Sequence, residues 1–267
     1  MSQMLRALLL SAGLLVSAGA AHAQAVQVTH PNIAADAGPS TVPFAGRSYV
    51  DHGLVAVGRL PADTLDFAGE TLGSFSAMAV ETWRRLPDGT YAGTLLTLPD
   101  RGPNDVGAVV GTTNYRNRLE RLDITLAPAA GKLGLKPAGG MLLKDLGGQT
   151  FTGRDPGAHT VVIGGVTLPS PESGDGAGHV SLDSEGLARL PDGSFYVSDE
   201  YAAGIYYFDK AGALKGVIPA VAAIAPRVGG QLNFGGAKAP ESGRRNNQGI
   251  EGLALSPDGK RLFALLQ

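Results

Sequence analysis

Two stretches of this chain repeat one text: Asp183-Ser-Glu-Gly-Leu-Ala-Arg-Leu-Pro-Asp-Gly-Ser-Phe-Tyr-Val-Ser-Asp-Glu200 and Gly249-Ile-Glu-Gly-Leu-Ala-Leu-Ser-Pro-Asp-Gly-Lys-Arg-Leu-Phe-Ala-Leu-Leu-Gln267. In both, Glu-Gly-Leu-Ala is followed at the same offset by Pro-Asp-Gly and then by an apolar run, so Glu185 corresponds to Glu251 and Asp192 to Asp258. Proline presets φ and glycine tolerates positive φ, so Pro-Asp-Gly between short runs of strand formers spells a β-hairpin. A fainter copy lies upstream, where residues 74–80 lead into Leu86-Pro-Asp-Gly89, residues 91–98 and then Asp100-Arg-Gly102. Repeated four-stranded units of about 40 to 50 residues, each burying its faces against its neighbours, are how β-propellers are built. The spacing of Asp88, Asp192 and Asp258 exceeds one such unit, which predicts long insertions or a blade whose signature has faded.

Composition agrees with this reading. The 267 residues include 39 glycines and 17 prolines, enough for many turns between short strands, and the length suits one large all-β domain as easily as two small ones. A formal net charge of -2 offers no basic surface to a nucleic-acid backbone, which excludes that partner. With no cysteine, the chain has no disulfide, thiol nucleophile, thiolate zinc site or lipidated N-terminal cysteine. Residues 1–23 read as a secretory signal: Arg6 in the n-region, an apolar core over residues 7–16, and a small-x-small cleavage site at Ala21-His-Ala23. That core is shorter than the roughly 20 residues a membrane span needs, so the expected product is an exported monomer without a span.

Along the mature chain, residues 24–48 form a polar lead-in with an early edge strand, and residues 49–267 form the propeller domain. Strands are expected near residues 49–60, 118–126, 160–163 and 205–208, and residues 149–181 read as a long insertion rich in glycine, proline and polar residues. Residues 217–225 suit either a short helix or a strand, and residues 229–247 form a glycine-rich loop. The run from Leu262 to Gln267 stops in the middle of a blade, so the fold is expected to be a C-terminally truncated, incomplete β-propeller, six-bladed in full-length form.

In a propeller the inner strand of each blade lines the central channel, so equivalent residues converge on the axis. Glu185 and Glu251 sit at such a position, with Gly186 and Gly252 behind them to admit close backbone packing. Carboxylates gathered there repel one another unless a cation neutralises them, and oxygen ligands favour Ca²⁺ or Mg²⁺; the competing use of Glu-Gly is as an acceptor of backbone N–H groups from the next blade. Asp100-Arg101 and Asp199-Glu200 end their hairpins near the same rim. There an arginine could clamp a phosphate or carboxylate while the acids act as bases or metal ligands, unless the two form a salt-bridged turn. Arg244-Arg245 and Asn246-Asn247 could add cationic and amide donors, Arg245 and Asn247 being taken as substrate-binding, or could be a solvated loop. The chain carries no Gly-x-Ser-x-Gly elbow, P-loop, His-Glu-x-x-His or Arg-His-Gly-x-Arg motif, and its five histidines are scattered.

Asp100-Arg-Gly-Pro-Asn104, Asp183-Ser-Glu-Gly-Leu187 with Phe195-Tyr-Val-Ser-Asp-Glu-Tyr201, and Asn247-Gln-Gly-Ile-Glu-Gly-Leu-Ala-Leu-Ser-Pro-Asp-Gly259 resemble, in order, the signatures of the bacterial phytase-like family, described as having esterase-like activity of phytase. The resemblance runs from about residue 50 to the end of the chain. It implies a secreted or periplasmic β-propeller that hydrolyses phosphate or other esters, with Asp100, Arg101, Glu185, Asp199, Glu200 and Glu251 as the residues matched by motif. The resulting expectation is a metal-assisted hydrolase of a small ester or phosphoester. Glu185 and Glu251 would hold Ca²⁺, and Asp100, Arg101, Asp199 and Glu200 would carry the catalysis. The alternatives are a non-catalytic exported propeller that binds a ligand or partner through the same rim, and a calcium-dependent lactonase.

Overall fold

All three Pro-Asp-Gly segments close as the sequence predicts. Gly89, Gly193 and Gly259 take positive φ of 84°, 90° and 67°, and the aspartate before each accepts a hydrogen bond from the backbone N–H two residues on. These turns belong to a computed structural model that describes residues 40–103 and 111–267. The signal-peptide reading of residues 1–23, and Asn104 of the first motif, lie outside the described residues.

The chain is all-β. Among the described residues, helix is confined to one 3-10 turn at Pro128–Ala130. The described residues of the first unit, 40–55, hold the hairpin of β1 (Ser40–Phe44) and β2 (Arg47–Asp51). The second unit, residues 56–267, is built from blades. The first is an antiparallel meander of β3 (Phe75–Arg85), β4 (Tyr91–Pro99), β5 (Arg118–Ala127) and β6 (Lys132–Leu142). An insertion carrying the hairpin of β7 (Thr160–Ile163) and β8 (Val166–Pro169) leads to the second. That blade comprises β9 (Ser184–Arg189), β10 (Phe195–Asp199), β11 (Ile205–Phe208) and β12 (Leu214–Ile218). A two-residue pair, β13 (Arg227–Val228) with β14 (Gln231–Leu232), precedes the opening hairpin of a third blade, β15 (Ile250–Leu255) and β16 (Leu262–Leu266). The chain thus displays part of a propeller.

Two expectations change in detail. The strand expected over residues 49–60 ends at Asp51 in β2, because Gly53 (φ 75°) takes the chain into a turn. The apolar stretch at residues 217–225 resolves into the end of β12 and a turn at residues 221–224, and β12 gives the second blade its fourth strand.

The core lies between the two complete blades. Leu96 and Leu98 of β4 and Leu119 of β5 meet Leu187 of β9 and Val197 of β10, and the insertion adds Phe151, Leu168 and Leu182. Phe151 packs edge-on against Tyr206 and Phe208, with ring centroids 5.5 and 5.6 Å away, in the geometry aromatic quadrupoles favour. The inner strand β9 lies between β3 and β15. The two glycines behind the repeated glutamates differ: a Cβ on Gly186 would stand 2.7 Å from Ser198 Oγ and 2.8 Å from Leu253 N, whereas one on Gly252 would meet nothing nearer than 3.4 Å. Gly186 is therefore the residue that lets blades two and three approach. Gly186→Ala should cost about 1–3 kcal/mol through overpacking, and Gly252→Ala should cost under about 1 kcal/mol. Chemical denaturation of both variants checks this, and equal losses would remove Gly186 from that role.

Candidate functional site

Three backbone hydrogen bonds put the blades in register. Asp100 N donates to Ser74 O (3.1 Å), Glu200 N to Asp183 O (2.9 Å) and Gln267 N to Gly249 O (3.1 Å). Asp100, Glu200 and Gln267 are therefore equivalent, as are Ser76, Glu185 and Glu251 two residues after each inner strand's anchor. The pairing shifts the sequence comparison of the first blade by one residue, because Asp100 matches Glu200 and not Asp199.

The shift separates two acids with different work. Asp199 is fully buried, and its carboxylate accepts from Asp183 N (3.1 Å), Tyr201 N (2.9 Å), Ala202 N (3.0 Å) and the Tyr206 hydroxyl (3.2 Å). Two of these bonds shape the turn after β10, and the other two tie it to the start of β9 and to β11. Burial pushes its carboxyl up to about 6 against the opposing pull of the three N–H groups. Glu200, next in the chain, joins Asp183 and Glu185 in a group whose carboxylate oxygens lie within 4.8 Å of one another. Glu251 stands beside them, within hydrogen-bonding reach of Glu185 and Glu200.

Asp183 is held from two sides. It accepts from Arg101 N (3.1 Å) and from Arg101 Nη1 (2.7 Å), so the arginine the sequence marks as a ligand clamp spends one face of its guanidinium on a protein acid. Its Nη2 remains on the other side, 3.4 Å from Asn247 Oδ1. Beneath this pair, Asn117 Nδ2 donates to Leu182 O (2.9 Å) and Ser184 Oγ (3.2 Å), and Ser184 Oγ donates to Pro99 O (2.7 Å). Those bonds pin the end of blade one to the start of blade two.

The electrostatics of the cluster are lopsided. Burial pushes the Glu185 carboxyl up to about 8; a hydrogen bond from Ser76 opposes this, and the charges of Glu251, Glu200 and Asp100 reinforce it. Burial likewise raises Asp183 well above the carboxylate range despite Arg101, and raises Asp100 and Glu251. One oxygen of Glu200, Oε1, is buried with no hydrogen-bond donor among the described residues. Crowded carboxylates and an orphaned acceptor make a donor set that suits a hard divalent cation.

Alongside lies a cavity of about 410 Å³ whose lining includes Arg101, Asp155, Glu200, Tyr201, Arg244 and Asn247. Of the two residues expected to bind substrate there, Asn247 lines it and Arg245 does not. Arg245 is exposed, and its carbonyl accepts from Arg244 Nη1 (3.0 Å). Arg244, its buried neighbour, takes the place in the wall. Neither His159 nor His179 lines the cavity. Asp183 and Asn117 are residues the sequence did not offer as candidates, and only Asp183 carried a signal, standing two residues before the repeated Glu-Gly; Arg244 was offered with Arg245 as a possible donor, and it is the inward member of the pair.

A carboxyl whose pKa is higher folded than unfolded binds an extra proton in the native state, so its stabilising contribution is present at low pH and lost as pH rises through the folded value. Glu185, moved from 4.5 to about 8, falls in this class. Cation-free protein should lose thermal stability between about pH 5 and 8.5, and Glu185→Gln should lose less. Melting curves across that range check the difference, and parallel profiles would contradict it.

Comparison with known proteins bears on this geometry. Among the described residues no helix is long and apolar enough to cross a membrane. A fungal protein of Arthroderma benhamiae, described as an uncharacterized secreted protein, is 37% identical over 257 residues, covering 82% of this chain and 49% of the relative. The chain therefore spans about half the length of that relative. The family described as Phytase-like, esterase-like activity of phytase, matches residues 70–267, a stretch that holds all three blades and the whole acid cluster, and the chain belongs to that family.

Proposed function

We propose that this protein is an exported hydrolase of phosphate or other small esters, acting as a monomer outside the cytoplasm with a divalent cation, Ca²⁺ by preference, at the acid cluster. The observation that carries the reading is the orphaned Glu200 oxygen amid Asp183 and Glu185, at the edge of a cavity into which Arg101 and Asn247 reach. Asp183, Glu185 and Glu200 would hold the cation, with Glu251 beside them. When bound it would supply Lewis acidity toward a ligand oxygen and lower the pKa of bound water.

The chain's own residues supply the rest. Arg101 keeps Asp183 oriented with one face and offers Nη2 to negative charge developing on the ester. Asp100, equivalent in register to Glu200 and raised by burial, would accept a proton from an attacking water, although it lines a separate pocket with Ser74 and Gly102 and not the cavity of Arg101 and Asn247. Asp199 would be a positioning residue, because its bonds from Tyr201 N and Ala202 N hold the turn that presents Glu200, and those from Asp183 N and the Tyr206 hydroxyl tie that turn to its neighbours.

Release of phosphate from phytate, and of nitrophenol from acyl and phosphoryl nitrophenyl esters, with calcium and with chelator, tests the proposal. Turnover that disappears with chelator supports it. Calcium binding without turnover of any of these esters would favour a binding propeller. Glu200→Gln should weaken calcium binding by at least about tenfold in calorimetry. Glu251→Gln should weaken it less, and both variants should keep the wild-type melting temperature within about 2 °C.

A further inference from the structure

The outer wall of the cavity is not part of any blade. It comes from residues 219–249, between β12 and β15, whose regular structure is limited to the two-residue strands β13 and β14. Such a segment has little ladder hydrogen bonding of its own, so side chains must fasten it. Asp155 Oδ2 accepts from Gly236 N (2.9 Å), and Asn246 Nδ2 donates to Gly236 O (2.9 Å) and Lys238 O (3.3 Å).

The central tie is Arg244, which is only 4% exposed. Its Nε and Nη2 donate to Tyr201 O (3.2 and 2.7 Å) and Nη2 also donates to Phe234 O (3.0 Å). Its Nη1 donates to Arg245 O (3.0 Å) and Asn246 Oδ1 (3.5 Å). The guanidinium thus joins three segments that line the cavity: the turn presenting Glu200, the far wall at Phe234, and the loop leading to Asn247. Among the described residues no carboxylate lies within ion-pair distance of it, so its direct partners are oxygen dipoles, while the charges of Asp199, Glu200, Asp155 and Asp183 favour it from farther off. A planar fork of five donors on three nitrogens reaches acceptors along both of its edges, whereas the three donors of lysine radiate from one nitrogen and reach only acceptors gathered about that point.

We infer that Arg244 is a positioning residue that fastens the 219–249 segment as the outer wall of the cavity, and that this wall determines which anionic ligands the site accepts. The inference rests on the cavity being the substrate pocket proposed above. The cation-holding acids have other holds, Asp183 on Arg101 and the Glu200 turn on Asp199, so loosening the wall should leave them in place.

The test compares wild type, Arg244→Lys and Asn246→Ala. Trypsin cleavage of the native protein is followed after the exposed Lys238, and calcium and inorganic phosphate binding are measured by calorimetry. Arg244→Lys should be cleaved at least about tenfold faster. It should hold calcium within about twofold of wild type and lose at least about tenfold in phosphate affinity, although its positive charge is retained. Asn246→Ala, which removes only the ties to Gly236 and Lys238, should show a smaller rise in cleavage; it carries the test if the lysine variant fails to fold. Unchanged cleavage in the variants that fold overturns the inference, as does faster cleavage with wild-type phosphate affinity. Wild-type protein that binds no phosphate sinks the anionic-ester reading of the cavity, and the fastening of the wall is then decided by cleavage alone.

Discussion

The double hold of Arg101 on Asp183, through its backbone N–H and its guanidinium, is the interaction on which the site depends. Asp183 is nearly inaccessible to solvent, and a carboxylate in that position is tolerated only when charge and hydrogen bonds compensate its lost hydration. The pair also spans two blades, since Arg101 leaves β4 and Asp183 leads into β9. Asn117 and Ser184 bridge the same seam with neutral hydrogen bonds, so the junction beneath the acids is polar and held by specific bonds. Above it the aromatic contacts of Phe151 with Tyr206 and Phe208 close the apolar part of the interface.

Another arginine, this one fully buried, solves a different problem. Arg118 pairs with Asp66 and Glu70 and lies 4.1 Å from the centre of the Tyr115 ring, which holds the loop before β3 onto blade one. The Tyr115 ring in turn packs against Gly102, where any Cβ would come within 2.3 Å of it, and Gly102 follows Arg101 directly. The position of the Arg101 loop is thus set by a packed aromatic on one side and by Asp183 on the other.

The blades were legible because their signal is local. A Pro-Asp-Gly turn and the strand formers around it specify a hairpin within a dozen residues, and the repeated text located β9, β10, β15 and the faint copy in β3 and β4. Glu185 and Glu200 were legible as site candidates for the same reason, lying at the head and tail of the repeat. Asn117 was not, because its role is made of a backbone carbonyl and a hydroxyl contributed by a segment far away in sequence, and carbonyls leave no mark in the amino-acid text. The pair Arg244-Arg245 drew attention by its place just before the repeated Glu-Gly, and only the fold could say that Arg244 and not Arg245 turns inward. Asp199 and Glu200 look alike in the sequence, yet a single step along the strand end separates an acid whose hydrogen bonds go to its own turn and core from one that borders the cavity.

The backbone register of the three blades sets Ser76, Glu185 and Glu251 in one series and Asp100, Glu200 and Gln267 in another. The turns of the three copies are nearly interchangeable, while these rim positions differ in charge from copy to copy. Stability and chemistry are therefore written into separate letters of the same repeat. A lineage built by duplicating such a unit can exchange one carboxyl for a hydroxyl or an amide at the rim, and so reshape the charge around the axis stepwise, while the hairpin that carries each position goes on folding as before.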